Sequence, residues 1–432
     1  YDMFAWDVTR FGDWADKAFT KARVGDQYAK RFAIHFPNEE RDAGRPVRTR
    51  PAHTLQAALG GVFGLNYGWE HVQWFADHPG AKDTNGFTRQ NWFEPVGREC
   101  RMLREAAGII DISNFAKYRV SGAQAEEWLN AVFANTMPKA VGRSCLTPLI
   151  GVRGGIAGDF TVTRLDEDEF MIIGSGMAER YHQRFWKMVP MPEGVRFESL
   201  TDSLCGFNVA GPKSRELLQH LTNTSLATGD FPFMRSKRIE LAGVQCVALR
   251  VSFTGDLGWE LHCKTEDQLR LYEALLDCAK DFDAGPVGAR ALMSLRVEKG
   301  YGSWSREYSP EYWPQEVGLA GLIKLDKDFL HKEAYLAIKD NAPRENICIV
   351  EILSPDNADA TGGEPIFDKS GTGVGRVTSG TYGYGVNKSL ALCYLKNVTA
   401  GDAVDVMILG KPHHAIVLPE APFDPKGEKL RA

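Results

Sequence analysis

An α+β fold finished by a small β-barrel is predicted by three observations. Helix-spaced and strand-spaced apolar residues alternate through residues 92–335, short regularly spaced strands fill residues 336–432, and residues 1–91 are rich in aromatics and charges with helical stretches and breakers. The chain is therefore read as an N-terminal adaptor, an α+β core and a C-terminal barrel, with 432 residues enough for several compact units.

In the adaptor, DWADKAFTKARVGDQYAKRF has helical spacing and gives way to the breaker-rich FPNEERDAGRPVRTRP. The run NYGWEHVQWF, Asn66 to Phe75, reads as an aromatic cluster closing a small core. Within the core, Ala125, Trp128, Leu129, Val132 and Phe133 fall on one helical stripe. FTVTRL and FMIIGS, separated by charged residues, form a hairpin, and GPKSRELLQHLT opens a helix at Gly211-Pro212. RIELAGVQCVALRVSF is a second hairpin turning at Ala242-Gly243. Thr265 and Gln268 have the spacing of a capping box before the helix of Leu269, Tyr272, Leu275 and Leu276. In the last part, ICIVEIL, PIFD, GVGRVTSG, SLALCYL, AVDVMILG and AIVLPEAP are short strands with Gly, Asn or Pro between them, the pattern of a small barrel. The glycine-rich SGTGVG among them opens no helix, so it reads as a hairpin turn and not a phosphate loop.

Composition narrows the function. A net charge of -5 gives no bulk attraction to nucleic acid or an anionic membrane, and no apolar run is long enough to span one, so a small-molecule ligand is favoured. Eight cysteines stand singly without a CxxC pair, which fits a reducing compartment, cytoplasmic or alternatively the mitochondrial matrix. His413-His414, the one adjacent histidine pair, lacks metal-ligand spacing, and no metal is expected.

Three stretches carry candidate chemistry. VSFTGDLGWELHC, Val251 to Cys263, sets Phe253, Asp256 and Glu260 around a glycine turn; Glu260 is either a solvated strand residue or part of a pocket wall. RGGIAGDFTVTRL places three glycines before Asp159, which is a turn residue or a carboxylate held beside a closely approaching ligand. RALMSLRVEKGYGSW is a helix bearing Arg290, Arg296 and Glu298, ended by Gly300 and followed by Tyr301 and Trp304; it is a salt-bridged helix or a second wall.

Their order carries a resemblance. GGIAGDFTV, FNVAGPKSRELL, FPFM, VSFTGDLGWEL, SLRVEKGY, EVGLAGLIKLDKDF, GRVTSGTYGYGVNKSLALCYL and APFDP together resemble the glycine-cleavage T-protein (aminomethyltransferase) family. The match is closer to the folate half of dimethylglycine and sarcosine dehydrogenases, because YDMFAWDVTRF, RTRPAH and FGLNYGWEHVQWF resemble the linker that follows their FAD domain. The resemblance implies an aminomethyltransferase-like folate-binding core in which tetrahydrofolate occupies a central channel. It also implies that the chain takes up a one-carbon unit during oxidative N-demethylation of a methylated glycine, forming 5,10-methylenetetrahydrofolate. A stand-alone folate-dependent demethylase or aminomethyltransferase, and a non-catalytic folate-binding module, are the alternatives.

By the same resemblance Asp159 matches the catalytic aspartate, Glu260 the carboxylate that clasps the pterin edge, and Tyr301 an aromatic at the folate site. Phe253 stands where a Tyr is frequent, Leu146 where T-proteins tend to have Tyr, and Leu292 where they have Arg, with Arg290 two positions earlier as a candidate substitute. No GxGxxG opens a βαβ unit, so FAD is expected on a segment preceding Tyr1 or on a partner chain. The partners expected are an N-methyl amine substrate and that FAD-binding domain or subunit, with oligomerisation left open.

Overall fold

The protein is described here by a computed structural model covering residues 4–353 and 356–432. Tyr1 to Met3 of the adaptor motif lie outside the described residues.

The adaptor helix, Lys17–Ala29, starts where the Asp16 carboxylate accepts a hydrogen bond from the Phe19 amide at 2.8 Å. The aromatic run after it forms the second strand of an antiparallel hairpin, Gly61–Asn66 with Trp69–Phe75. Its turn residues Tyr67 and Gly68 both take positive φ, 49° and 81°. Alternation in the second strand buries Glu70, Val72 and Trp74, and Trp69 at its start is buried as well. The guanidinium groups of Arg48 and Arg50 lie 3.7 and 3.6 Å from the Trp69 ring centroid.

Two sheets make the core. A six-stranded sheet runs in the order Ser236–Leu241, Val244–Leu249, Gly258–Lys264, Leu204–Ala210, Gly108–Asp111, Gly285–Val287; only the last pair is parallel. A five-stranded antiparallel sheet runs Ser144–Ile150, Ile156–Asp166, Glu169–Gly174, Ala116–Ser121, Arg196–Ser199. Each sheet is covered on its outer face by helices: Ser214–Gln219 and Gln268–Ala279 bury Leu217, Leu218, Leu271 and Leu275 against the first, and Ala125–Val132 and Glu179–Trp186 bury Trp128, Leu129 and Trp186 against the second. The inner faces meet where Met171 and Ile173 pack with Leu249. The Ser144 amide also bonds the Met234 carbonyl across the seam at 2.9 Å.

The helix Ala289–Glu298 ends at Gly300, φ 72°, and joins this core to a closed six-stranded barrel built from residues 346–417. Its charged residues are all paired, each with a different segment: Arg290 with Asp83, Arg296 with Glu307, Glu298 with Arg104. The SGTGVG stretch is a hairpin turn in which Asp368 accepts the amides of Ser370 and Thr372. One local expectation fails. Thr265 and Gln268 form no capping box: the Thr265 hydroxyl donates to the Asp202 carbonyl at 2.9 Å, and the buried Gln268 amide bonds Ala52 and Asp111. Both side chains are drawn into tertiary contacts that a local signal does not contain. No described helix is long and apolar enough to cross a membrane.

Candidate functional site between the two sheets

Strand register decides which residues share the space between the sheets, because side chains alternate faces while directly paired residues share one. In the five-stranded sheet Asp159 is two residues from Thr161, which pairs with Ile173, which pairs with Lys117. These four residues share the inner face, while Phe160 and Val162 turn outward into the helix-covered core. In the six-stranded sheet Leu249 pairs with Glu260, Glu260 with Asn208, and Asn208 with Ile110. Since Leu249 meets Ile173, Asp159 and Glu260 stand on facing surfaces.

Asp159 keeps some accessible surface but is surrounded by protein. Burial pushes its carboxyl up to about 6, against a smaller stabilisation from its own backbone N–H. Its charge also helps raise the phenol of partly buried Tyr308, whose shift is dominated by desolvation. Glu260 has 18% of its side chain exposed, and its Oε2 lies 3.4 Å from His262 Nε2. The buried Lys117 ammonium donates to the carbonyls of Ser113 and Phe115 at 3.1 and 2.9 Å, and burial lowers its pKa to about 8.

The turn before Glu260 is fixed from both sides. Asn208 Nδ2 donates to the carbonyls of Trp259 and Val251 at 3.2 and 3.4 Å, and Ser252 and Thr254 hydroxyls bond at 2.8 Å. Gly255, φ 84°, has no room for a Cβ beside the Lys299 chain, 2.7 Å away. This turn presents Phe253 to Tyr301, the two rings stacked with centroids 5.9 Å apart and planes 19° from parallel. Residues 301–308 then run from Tyr301 to Tyr308, linking the aromatic pair to the neighbourhood of Asp159.

Phe253 and Tyr301 thus form a stacked pair at the turn leading into the Glu260 strand, and Asp159 lies on the opposing inner surface. Arg290 stands apart. Its guanidinium binds Asp83 through two hydrogen bonds of 2.9 and 2.7 Å and lies 5.0 Å from the Trp92 centroid. Leu292, two residues on and so on another face of the helix, is buried in the apolar cluster that includes Phe253. Leu146 lies half exposed opposite Thr161, on the Asp159 face. His262, Asn208, Lys117 and Tyr308 were not singled out from sequence. Only His262 had a local signal, its spacing of two from Glu260 on one strand. No cluster of three or more His, Cys, Asp or Glu residues suited to a metal occurs among the described residues.

Residues 52–327 match the GCVT N-terminal domain, residues 346–424 the glycine cleavage T-protein C-terminal barrel domain, and residues 1–49 the FAD dependent oxidoreductase central domain. The chain belongs to the glycine cleavage T-protein family. Among its relatives, mouse mitochondrial dimethylglycine dehydrogenase is 34% identical over 97% of this chain and 49% of its own length. The formaldehyde-forming 4-methylaminobutanoate oxidase of Paenarthrobacter nicotinovorans is 31% identical over all of this chain and 53% of its own. The chain spans about half the length of these curated relatives. The aminomethyltransferase of a Thermoanaerobacter strain is 26% identical over 78% of this chain and 91% of its own. The crystal structure of glycine cleavage system aminomethyltransferase T from Bartonella henselae superposes with a TM-score of 0.75 at 22% identity, covering 87% of this chain and 98% of that one. The T-protein family fold, an aminomethyltransferase core with its C-terminal barrel, is therefore the fold of this chain.

Proposed function

We propose that this chain is the folate part of an FAD-dependent N-demethylating system, capturing as 5,10-methylenetetrahydrofolate the one-carbon unit released from a methylated glycine of the dimethylglycine or sarcosine type. The observation that carries the reading is that Asp159 and Glu260 lie on the facing inner surfaces of the two sheets, while Phe253, in the turn that leads into the Glu260 strand, stacks on Tyr301. The family supports folate-dependent one-carbon transfer as the general chemistry.

Tetrahydrofolate, when bound, supplies two nitrogens that accept the one-carbon unit. Glu260 has the right chemistry for its pterin edge, since a carboxylate accepts two parallel N–H bonds from a ring nitrogen and an exocyclic amine. Phe253 and Tyr301 offer aromatic faces to a flat ring. Asp159, with a carboxyl near 6, is ionised at neutral pH and still basic enough to take a proton there. Its charge also stabilises positive charge developing on a nitrogen nearby.

The flavin part of this reading rests on the oxidoreductase match at residues 1–49 and on the surface there. Trp6, Val8, Tyr28, Phe32 and Ile34 of the adaptor are each more than two-thirds exposed, a concentration of apolar side chains that suits burial by an FAD-binding domain or subunit. The decisive experiment titrates the purified chain with tetrahydrofolate, then measures methylenetetrahydrofolate formation when an FAD-containing dehydrogenase part and N-methyl amine are added. Absence of folate binding sinks the proposal, and flavin held stably by this chain alone sinks its division of labour.

A further inference from the structure

His262 is a buried histidine in an unusual setting. Its side chain is fully buried, and neither ring nitrogen has a hydrogen-bond partner of good geometry among the described residues. Among the described residues the charged group within ion-pair reach is Glu260, Oε2 to Nε2 3.4 Å. Buried polar atoms are rarely left this way, because an unmade hydrogen bond inside a protein costs on the order of 1–3 kcal/mol. The ring is fixed in place: Gly206, its partner on the neighbouring strand, would put a Cβ 2.9 Å from Nδ1, so only glycine leaves room for it. On its other side the strand partner is Val247, which offers no polar group.

Resting on the folate reading of Glu260, we infer that His262 is a positioning residue which donates its Nε2 hydrogen to Glu260 and aims that carboxylate at the ligand between the sheets. Two charged groups act on the ring, Glu260 from its own strand and Lys117 from the opposing sheet. Burial disfavours the imidazolium, Lys117 acts in the same direction, and Glu260 opposes them. A neutral imidazole has one N–H to give, and Glu260 is the acceptor in reach, which selects the Nε2–H tautomer. The hydrogen bond engages one lone pair of Oε2 and leaves three acceptor positions on Glu260 for N–H groups of a ligand. A carboxylate on an exposed strand would sample several rotamers; one tethered two residues along its own strand is ordered before the ligand arrives, which lowers the cost of binding.

The test uses the full 432-residue chain. Selective nitrogen-15 histidine NMR without folate should show His262 neutral, with the proton on Nε2, between pH 6 and 8; an imidazolium or an Nδ1–H tautomer in that range overturns the inference. Tetrahydrofolate is then titrated into wild type, His262→Gln, which keeps a donor at the Nε2 position, and His262→Leu, which has none. The expected result is a Kd within about threefold of wild type for the Gln variant and at least about tenfold weaker for Leu, with similar thermal midpoints. Equal affinity of Leu and wild type, or equal weakening of Gln and Leu, overturns it. If the Leu variant does not fold, His262→Asn, whose donor sits at the Nδ1 position, takes its place with the same expectation. Failure of the wild-type chain to bind tetrahydrofolate removes the folate reading itself, a result separate from any difference among the variants.

Discussion

Phe253 and Tyr301 stack at a centroid distance of 5.9 Å although one lies in the turn before a strand and the other just beyond the end of a helix. The pair is held by its supports, Asn208 on the turn and the Arg296–Tyr301 carbonyl bond of 2.9 Å on the other side.

Phe253→Ala should therefore weaken tetrahydrofolate binding about tenfold, the scale of one aromatic contact, whereas Phe253→Tyr should change it less than about threefold. Calorimetric titration of the three proteins measures this. An Ala variant with unchanged Kd would take the aromatic pair out of the site.

Asp159→Asn should leave folate affinity largely intact and cut methylene transfer by a factor of at least about a hundred, if the carboxylate handles a proton. Wild-type transfer should fall as pH drops through about 6, where Asp159 protonates, and the Asn variant should lack that limb. Stability moves oppositely. The folded pKa is raised above the ordinary 3.8, so the folded state holds a proton that the unfolded state has lost between those values, and stability declines as pH rises through that window. Asp159→Asn removes the penalty and should raise stability at pH 7 by on the order of 1–2 kcal/mol, read from denaturant melts.

Arg296 and Glu307 form an ion pair of 2.8 Å with both side chains fully buried, supplemented by Ser379, Thr378 and the Ser303 amide. Burial works against the Glu307 charge, but Arg296 and these hydrogen bonds outweigh it and hold the carboxyl below its usual range. Stability from this group is present above the ordinary carboxylate pKa and is lost as pH falls through the depressed one. Arg296→Met leaves a lone buried carboxylate and should cost about 3–5 kcal/mol. The double variant with Glu307→Met should recover part of that loss; a double variant no more stable than Arg296→Met would contradict the pairing.

Arg290→Ala breaks the two-bond pair with Asp83 and its contact with Trp92. We expect a loss of about 1–3 kcal/mol in stability, with tetrahydrofolate affinity within about twofold of wild type. A Kd raised tenfold without loss of stability would return Arg290 to the folate site as a direct contact.

Local features were readable where one segment holds its own cause. The hairpin at Ala242-Gly243 forms as the strand pattern requires, with both turn residues at positive φ, 47° and 78°. Regularly spaced short strands were enough to announce the barrel, and Gly300 to announce the end of the Arg290 helix. Thr265 and Gln268 show the limit, since a capping pattern was overridden by partners at Ala52, Asp111 and Asp202. The aromatic run at Asn66 to Phe75 is a hairpin as well as a cluster, because Tyr67-Gly68 supply a turn that its aromatic content obscured.

By itself the sequence determined the α+β class, the barrel, the family and the identity of the carboxylates at issue, because periodicity and motif order are written along the chain. Tertiary structure alone decided that Asp159 and Glu260 stand on facing inner surfaces, that Phe253 stacks on Tyr301 and that Arg290 is tied to Asp83. These relationships arise from packing segments that are distant along the chain against one another. Alternation tells which face of its own strand a residue occupies, but the partner across the gap belongs to a distant segment, and only the packed core sets their distance, their charge states and the space between them.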